Sequence, residues 1–293
     1  MARLVEHRLG DIKLVGTSLA GEETVVAAPE LNVCFDVGRA PQEILSVDHV
    51  FLSHGHMDHS AGLAYYFSQR NFVGNAPGTV ICPQILVGPI KELMRVWASI
   101  EGHLSPHRVV GLSGGETFEI RRGLFAKAFD VNHRVAALGY SIIEARHKLK
   151  PEYADLSGPQ LVELKKKGTE IERRIEVPLI AYCGDTAEGS WLELPIVREA
   201  KVLILECTFF EADHVRRARE GYHLHVRDVA RILMKLPNEH IVLHHLTRRT
   251  PLMEAKRMLS SLVDPEIMSR ITFLMDYRKN RSEAAKVEER RAT

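Results

Sequence analysis

At 293 residues with 45% hydrophobic positions, the chain can bury a sizeable core, as one large domain or as two similar halves. Lysine and arginine total 39 against 38 for aspartate and glutamate, and the net charge of +1 excludes a global pull toward nucleic acid or an anionic membrane, so any such binding must come from local patches. Cys34, Cys82, Cys183 and Cys207 stand far apart with no CxxC pair, which excludes a dense disulfide framework and points to free thiols in a reducing cytoplasm.

From the start, Met1 to Leu14 carry charges throughout and hold no apolar stretch long enough for a signal peptide or membrane span, so the expectation is a soluble cytoplasmic protein with no membrane partner. Beyond that, short apolar runs alternate with amphipathic segments, without a fixed-period repeat, as in an α/β protein. Strands are predicted at Leu31–Asp36 and Val50–Ser53, a helix at Ser60–Gln69, a strand at Thr79–Cys82 and a helix at Pro83–Ile100. Gly111, Gly114 and Gly115 mark a turn, and strands follow at Leu124–Val131 and Gly139–Ile143. The stretch from Lys148 to Glu176 breaks the alternation; it reads as a charged insert projecting from the body, with a helix at Ser157–Lys167 stopped by Gly168. Strands at Leu179–Cys183 and Val202–Glu206, a helix at Val226–Leu236, a strand at Ile241–His244, a helix at Pro251–Val263 and a strand at Ile271–Met275 complete the series. Several of these strands are too apolar to be half exposed. The charged tail at 278–293 is expected to be flexible.

The strongest chemical signal is the run Ser53-His54-Gly55-His56-Met57-Asp58-His59, directly after an apolar strand. Three imidazoles and a carboxylate on one tight loop offer the nitrogen and oxygen set that suits zinc or a similar divalent ion. In an extended turn His54 and His56 face one way while Asp58 and His59 swing to a neighbouring point, so one loop can serve two ions. A lone HxH is more often a solvated turn, but HxHxDH is far more specific. Further ligand-type residues follow later apolar runs: His133 after Leu124–Val131, Asp185 after Leu179–Cys183 and His245 after Ile241–Leu243. Strand carboxyl ends in α/β folds converge on one face, where seven candidate ligands can meet.

HGHMDH, the histidine of DVNHRVAALGY, the aspartate of YCGDT and the second histidine of VLHHLTRR resemble the successive metal motifs of the metallo-β-lactamase superfamily. LECTF, with Glu206, and GYHLH, with His223, are similar to the glutamate–histidine pair of ribonuclease Z, and the flanking text resembles its short, plant-type form from about Lys13 to Tyr277. The resemblance implies a four-layer αββα sandwich, one domain over 1–277 with the insert at about 148–176. It implies two Zn2+ per chain, or other divalent ions such as Mn2+ or Fe2+: His54, His56 and His133 on one, Asp58, His59 and His245 on the other, Asp185 bridging. The implied activity is an endoribonuclease that hydrolyses the phosphodiester at the 3′ end of precursor tRNA through a metal-activated water, leaving a tRNA 3′ hydroxyl and a trailer 5′ phosphate. Asp58 would orient the water, and His223, kept protonated by Glu206, would be the general acid.

Each of these roles has a plainer alternative. Glu206 would otherwise be a buried acid with a structural partner and His223 a helix-start histidine; His225 is read as structural and His244 as packing. Lys148, Lys150, Lys165, Lys166, Lys167, Arg173 and Arg174 stand where ribonuclease Z carries a substrate-binding arm, although Lys165 to Lys167 could merely complement a helix dipole. Arg249 is a candidate phosphate contact, followed by Thr250 where the family usually has an aromatic. The family is commonly a homodimer, and the apolar residues of Ile85 to Ile100, including Met94 and Trp97, read as core or subunit interface. The competing functions are another hydrolase of this fold, acting on a small phosphodiester, lactam or thioester, and a noncatalytic RNA-binding relative.

Overall fold

In the computed structural model, which describes residues 4–276, the chain forms two seven-stranded sheets laid face to face. The tail at 278–293 lies outside the described residues. The first sheet holds β1 (Val5–Leu9), β2 (Ile12–Leu19), β3 (Glu23–Ala28), β4 (Val33–Phe35), β5 (His49–Phe51), β6 (Gly78–Pro83) and β7 (His107–Leu112), neighbours in chain order. The second holds β8 (Thr117–Arg121), β9 (Leu124–Asp130), β10 (Leu138–Leu149), β11 (Glu172–Tyr182), β12 (Val202–Glu206), β13 (His240–His244) and β14 (Ile271–Phe273). Each sheet begins with antiparallel hairpins and ends in parallel strands, β4 to β7 in one and β11 to β14 in the other. The helices are α1 (Met57–Ser60), α2 (Leu63–Phe72), α3 (Val87–Glu101), α4 (Gly158–Lys166), α5 (Pro195–Arg198), α6 (Val215–Gly221), α7 (Val226–Leu233), α8 (Leu252–Ser260) and α9 (Pro265–Ser269). Among the described residues no helix is long and apolar enough to cross a membrane.

The two-residue period of a strand explains the layers. Along β12, Val202 and Ile204 enter the core between the sheets with Phe35, Phe51 and Tyr140, while Leu203 and Leu205 enter the opposite core with Val229, Leu233, Ala255 and Leu259 of α7 and α8. In β4, Val33 and Phe35 face the inter-sheet core, and Cys34 faces Leu63, Phe67, Ile90 and Met94 of α2 and α3. A strand covered on both sides must be apolar throughout, which is why these runs stand out in the sequence. The result is the αββα order of layers.

Five strands, β1, β2, β3, β7 and β8, lie where none was expected. In β1 the buried Val5, His7 and Leu9 alternate with exposed Glu6 and Arg8, so a charged N-terminal stretch is an edge strand with its charges on the solvent side. In β8 exposed Thr117, Glu119 and Arg121 flank half-buried Phe118 and Ile120. β10 and β11 run further than their apolar segments suggested: the ladder continues through His147↔Arg174 to Leu149↔Glu172. The two ends of the charged stretch from Lys148 to Glu176 therefore extend a two-stranded ribbon joined through α4, and Gly168 follows that helix in the left-handed region at φ +79°.

Candidate metal centre

Each chemically distinctive side chain stands at the end of a strand. Asp36 follows β4, the loop Ser53–His59 follows β5, His133 follows β9, Asp185 follows β11, Glu206 closes β12 and His245 follows β13. Two connections demand unusual backbone. Gly184 has φ +60°, and a Cβ there would lie 2.8 Å from Ser53 Cβ, so the loop bearing Asp185 closes on the histidine loop only with glycine. His245 also sits at φ +60°, a conformation costing a non-glycine about 1–3 kcal/mol; Ser18 Oγ accepts its backbone N–H at 3.0 Å.

The side chains meet at two adjacent points. His56 Nδ1 lies 3.0 Å from His54 Nε2 and 3.3 Å from His133 Nε2. At the neighbouring point His59 Nε2 and His245 Nε2 are 3.3 Å apart, with Asp58 Oδ2 3.4 Å from His245 Nε2. Asp185 Oδ2 stands between, 3.3 Å from both His59 and His245 and 3.8 Å from His54.

The far ring nitrogens fix which way these imidazoles point. His59 Nδ1 donates to Asp36 Oδ2 at 2.7 Å, and His133 Nδ1 lies 3.3 Å from the Tyr222 carbonyl. His54 Nδ1 meets Ser53 Oγ at 2.9 Å, and that hydroxyl donates onward to Asp36; His245 Nδ1 meets Thr208 Oγ1 at 3.0 Å, and that hydroxyl donates to Glu206. Since both hydroxyl protons are committed to carboxylates, the oxygens accept, Nδ1 carries the proton and Nε2 aims a lone pair inward. Burial pushes His54 and His133 below the ordinary imidazole range, toward the neutral, ligating form. Burial would lower His59 too, but the facing Asp185 and Asp36 carboxylates outweigh it and hold it well above; the field that favours a proton there favours any cation. Asp185 Oδ1 is buried without a hydrogen-bond partner among the described residues. Inward lone pairs repel at these separations unless a cation lies between them, so the donor set fits divalent metal: His54, His56, His133 and Asp185 could hold one ion, and Asp58, His59 and His245 another.

Beside this set, Glu206 is fully buried and accepts four donors: Thr186 N at 2.7 Å, Leu224 N at 3.1 Å, Thr208 Oγ1 at 2.5 Å and His223 Nδ1 at 3.0 Å. The His223 ring stacks on His245, centroids 5.4 Å apart. Burial would lower its pKa, but Glu206 raises it, up to about 9. The histidine at a helix start is instead His225, whose side chain accepts from Arg227 N to cap α7 and reaches the Glu211 carbonyl at 3.0 Å. His244 turns into the fold against the Tyr182 ring.

A cavity of about 450 Å³ opens over the centre, walled by His56, Asp58, Asp185, His223 and His245 and rimmed by Phe209, Arg217, Thr247, Arg248 and Arg249. Lys148, Lys150, Lys165, Lys166 and Lys167 do not line it. Lys148 is ten residues along β10 from Leu138, which bonds to Ser53 O at the cleft; at the usual strand rise that is roughly 30 Å. Asp36, Thr208 and Arg217 escape notice in the sequence. Asp36 had a signal, an acid closing an apolar run just as Asp185 and Glu206 do.

Residues 24–246 match the family model described as the Beta-lactamase superfamily domain. The chain is 35% identical over 253 residues to tRNase Z TRZ1 of Arabidopsis thaliana, covering 85% of this chain and 90% of that protein. It is 30% identical over 250 residues to the chloroplastic tRNase Z TRZ2 of the same plant, covering 84% and 71%. The crystal structure of human tRNase Z, short form, shares the fold with a TM-score of 0.59 at 18% identity, over 88% of this chain and 92% of that one. With this sandwich and these likenesses, the chain belongs to the ribonuclease Z (tRNase Z) family of the metallo-β-lactamase superfamily.

Proposed function

We propose that the chain is a metal-dependent endoribonuclease that cuts precursor tRNA at its 3′ end, leaving a 3′ hydroxyl on the tRNA and a 5′ phosphate on the trailer. The observation that carries this reading is the Glu206–His223 pair standing beside the ligand set, because hydrolysis that expels a ribose 3′ oxygen needs a proton donor of its own. His54, His56, His133 and Asp185 would hold one cation and Asp58, His59, His245 and Asp185 a second, with zinc the natural choice for these donors and Mn2+ or Fe2+ the alternatives. When bound, two such ions supply Lewis-acid charge that acidifies water and neutralises phosphoryl oxygens. Asp58, steadied by the Gly21 N–H at 2.7 Å, orients the attacking water and takes its proton. His223, its Nδ1 tied to Glu206, delivers the Nε2 proton to the departing oxygen.

The names of the similar proteins, tRNases Z, support the choice of substrate. A ribbon that carries Lys148 some 30 Å along the strand from the cleft suits a long, folded RNA and has no use for a lactam. Four buried free cysteines fit a reducing cytoplasm. Exposed Leu93, Val96, Trp97 and Ile100 on α3 give an apolar face that a second copy would cover in a homodimer.

The test is to incubate the purified protein with a 3′-extended tRNA, a chromogenic phosphodiester and a β-lactam, before and after chelation. Cleavage at the mature 3′ end, abolished by chelator and restored by divalent metal, is the expected result. Turnover of the lactam without RNA cleavage would overturn the reading.

A further inference from the structure

Two adjacent phenylalanines, Phe209 and Phe210, are treated differently by the fold. Phe210 is 1% exposed and belongs to the core beneath α7. Phe209 belongs to none of the three hydrophobic clusters formed by the described residues. Its ring lies in the rim of the metal cavity, edge-on to His223 with centroids 6.1 Å apart and to His214 at 5.7 Å. The backbone beneath it is pinned on both sides: Phe209 N–H donates to Leu224 O at 3.3 Å, and Val226 N–H donates to Phe209 O at 2.8 Å. A large apolar ring is thus held firmly at the cleft where core packing does not account for it.

Three arginines share the rim of that cavity. Arg248 is engaged by Glu22 through two hydrogen bonds of 2.5 and 2.7 Å, whereas Arg217 on α6 and Arg249 make no ion pair among the described residues. An aromatic ring that shares a cavity with uncommitted guanidinium groups is the chemistry that takes a nucleotide: the base stacks on the ring and the phosphates meet the cations.

We propose that Phe209 is a stacking platform for the base of the nucleotide whose 3′ oxygen departs, and that Arg217 contacts a phosphate of the same strand. This rests on the endoribonuclease reading, with His223 as proton donor. Whichever ribose presents its 3′ oxygen to His223 carries its own base within reach of the ring packed against His223. Stacking accepts any base, so the platform positions the last nucleotide of the product without choosing its identity.

The experiment uses the full chain and a 3′-extended tRNA bearing either an ordinary or an abasic nucleotide at the position that becomes the new 3′ end. Single-turnover rates are compared for the wild type, Phe209→Ala, Phe209→Trp and Arg217→Ala, with a chromogenic diester in parallel. Loss of the ring or of the base should each slow RNA cleavage by roughly tenfold, and the two losses together should cost little more than either alone. Phe209→Trp should retain most of the rate, and Phe209→Ala should lose more on RNA than on the diester. Multiplicative losses, or a wild type indifferent to the abasic substrate, would overturn the platform, the second outcome holding even if Phe209→Ala fails to fold. A wild type that hydrolyses the diester but cleaves no tRNA would instead sink the endoribonuclease reading beneath it.

Discussion

At its two ends β10 borders regions that handle charge in opposite ways. Near Leu138, polar side chains are buried and tied down: Asp36 accepts from Ser53 N, Ser53 Oγ, His59 and Tyr182, and Glu206 accepts four donors of its own. Three residues in the left-handed region, Asp36, Tyr222 and His245, lie around this cleft. Near Leu149, charges are exposed and pair along the surface, Lys150 with Glu170, Lys165 with Glu172 and Lys167 with Glu163. Breaking a buried charged network by removing one partner costs about 3–5 kcal/mol, whereas exposed pairs contribute about 0–1 kcal/mol. The cleft therefore has a fixed geometry that tolerates little change, and the ribbon has a charge pattern that can be rewritten without unfolding the sheet.

The sharpest way to break this comparison is at the proton donor. His223→Ala should lower tRNA cleavage by about 10²–10⁴-fold while elemental analysis still finds metal, since the seven other side chains remain; near-normal cleavage would remove His223 from the mechanism. Glu206→Gln tests the partner through pH. The Glu206 carboxylate raises the pKa of His223, so the donor stays protonated at neutral pH and loses its proton as pH rises through that raised value. Removing the negative charge lowers that pKa, and the alkaline limb of the kcat/KM profile should move to lower pH. A limb that stays in place would mean that another group sets it.

A smaller effect is expected one layer out. Asp36→Asn keeps the shape but weakens the acceptor that orients His59 and Ser53, and metal affinity measured by chelator competition should fall about 10–100-fold. Unchanged affinity would show that His59 is aimed by packing alone.

Asp36 also shows where legibility stops. The histidine loop is conspicuous because four ligand-type residues fall within six positions, and His133, Asp185 and His245 because each follows a largely apolar run. Asp36 follows such a run too, but its partners are Ser53 and His59, and only the parallel register Phe35↔Phe51 brings those within hydrogen-bonding distance. Thr208 is hidden for the same reason: its hydroxyl bridges Glu206, which closes β12, and His245, which follows β13. β12 and β13 were legible because they are apolar on both faces, whereas β3, covered on both sides as well, opens on Glu23 and Thr24 and was not; β1 and β8 were not because one side of each carries charge. The far half of the β10–β11 ribbon, where exposed charges replace the apolar signature, eludes the same pattern.

That ribbon carries the mildest prediction. Changing Lys165, Lys166 and Lys167 together to glutamate adds negative charge where α4 ends. If these side chains meet RNA phosphates, the KM for tRNA should rise several-fold and the dependence of binding on salt should flatten, by up to about 0.9 in log–log slope for every phosphate no longer neutralised. If they only complement the helix end, the change should appear in the melting temperature alone, each charge being worth about 0.3–1 kcal/mol there. Both pairs that the substitution disrupts, Lys165 with Glu172 and Lys167 with Glu163, are exposed, so even charge reversal should leave the fold intact and the KM comparison interpretable. Equal loss on tRNA and on a small diester would mean that damage at the ribbon reaches the cleft, against the division between a fixed centre and a tunable surface.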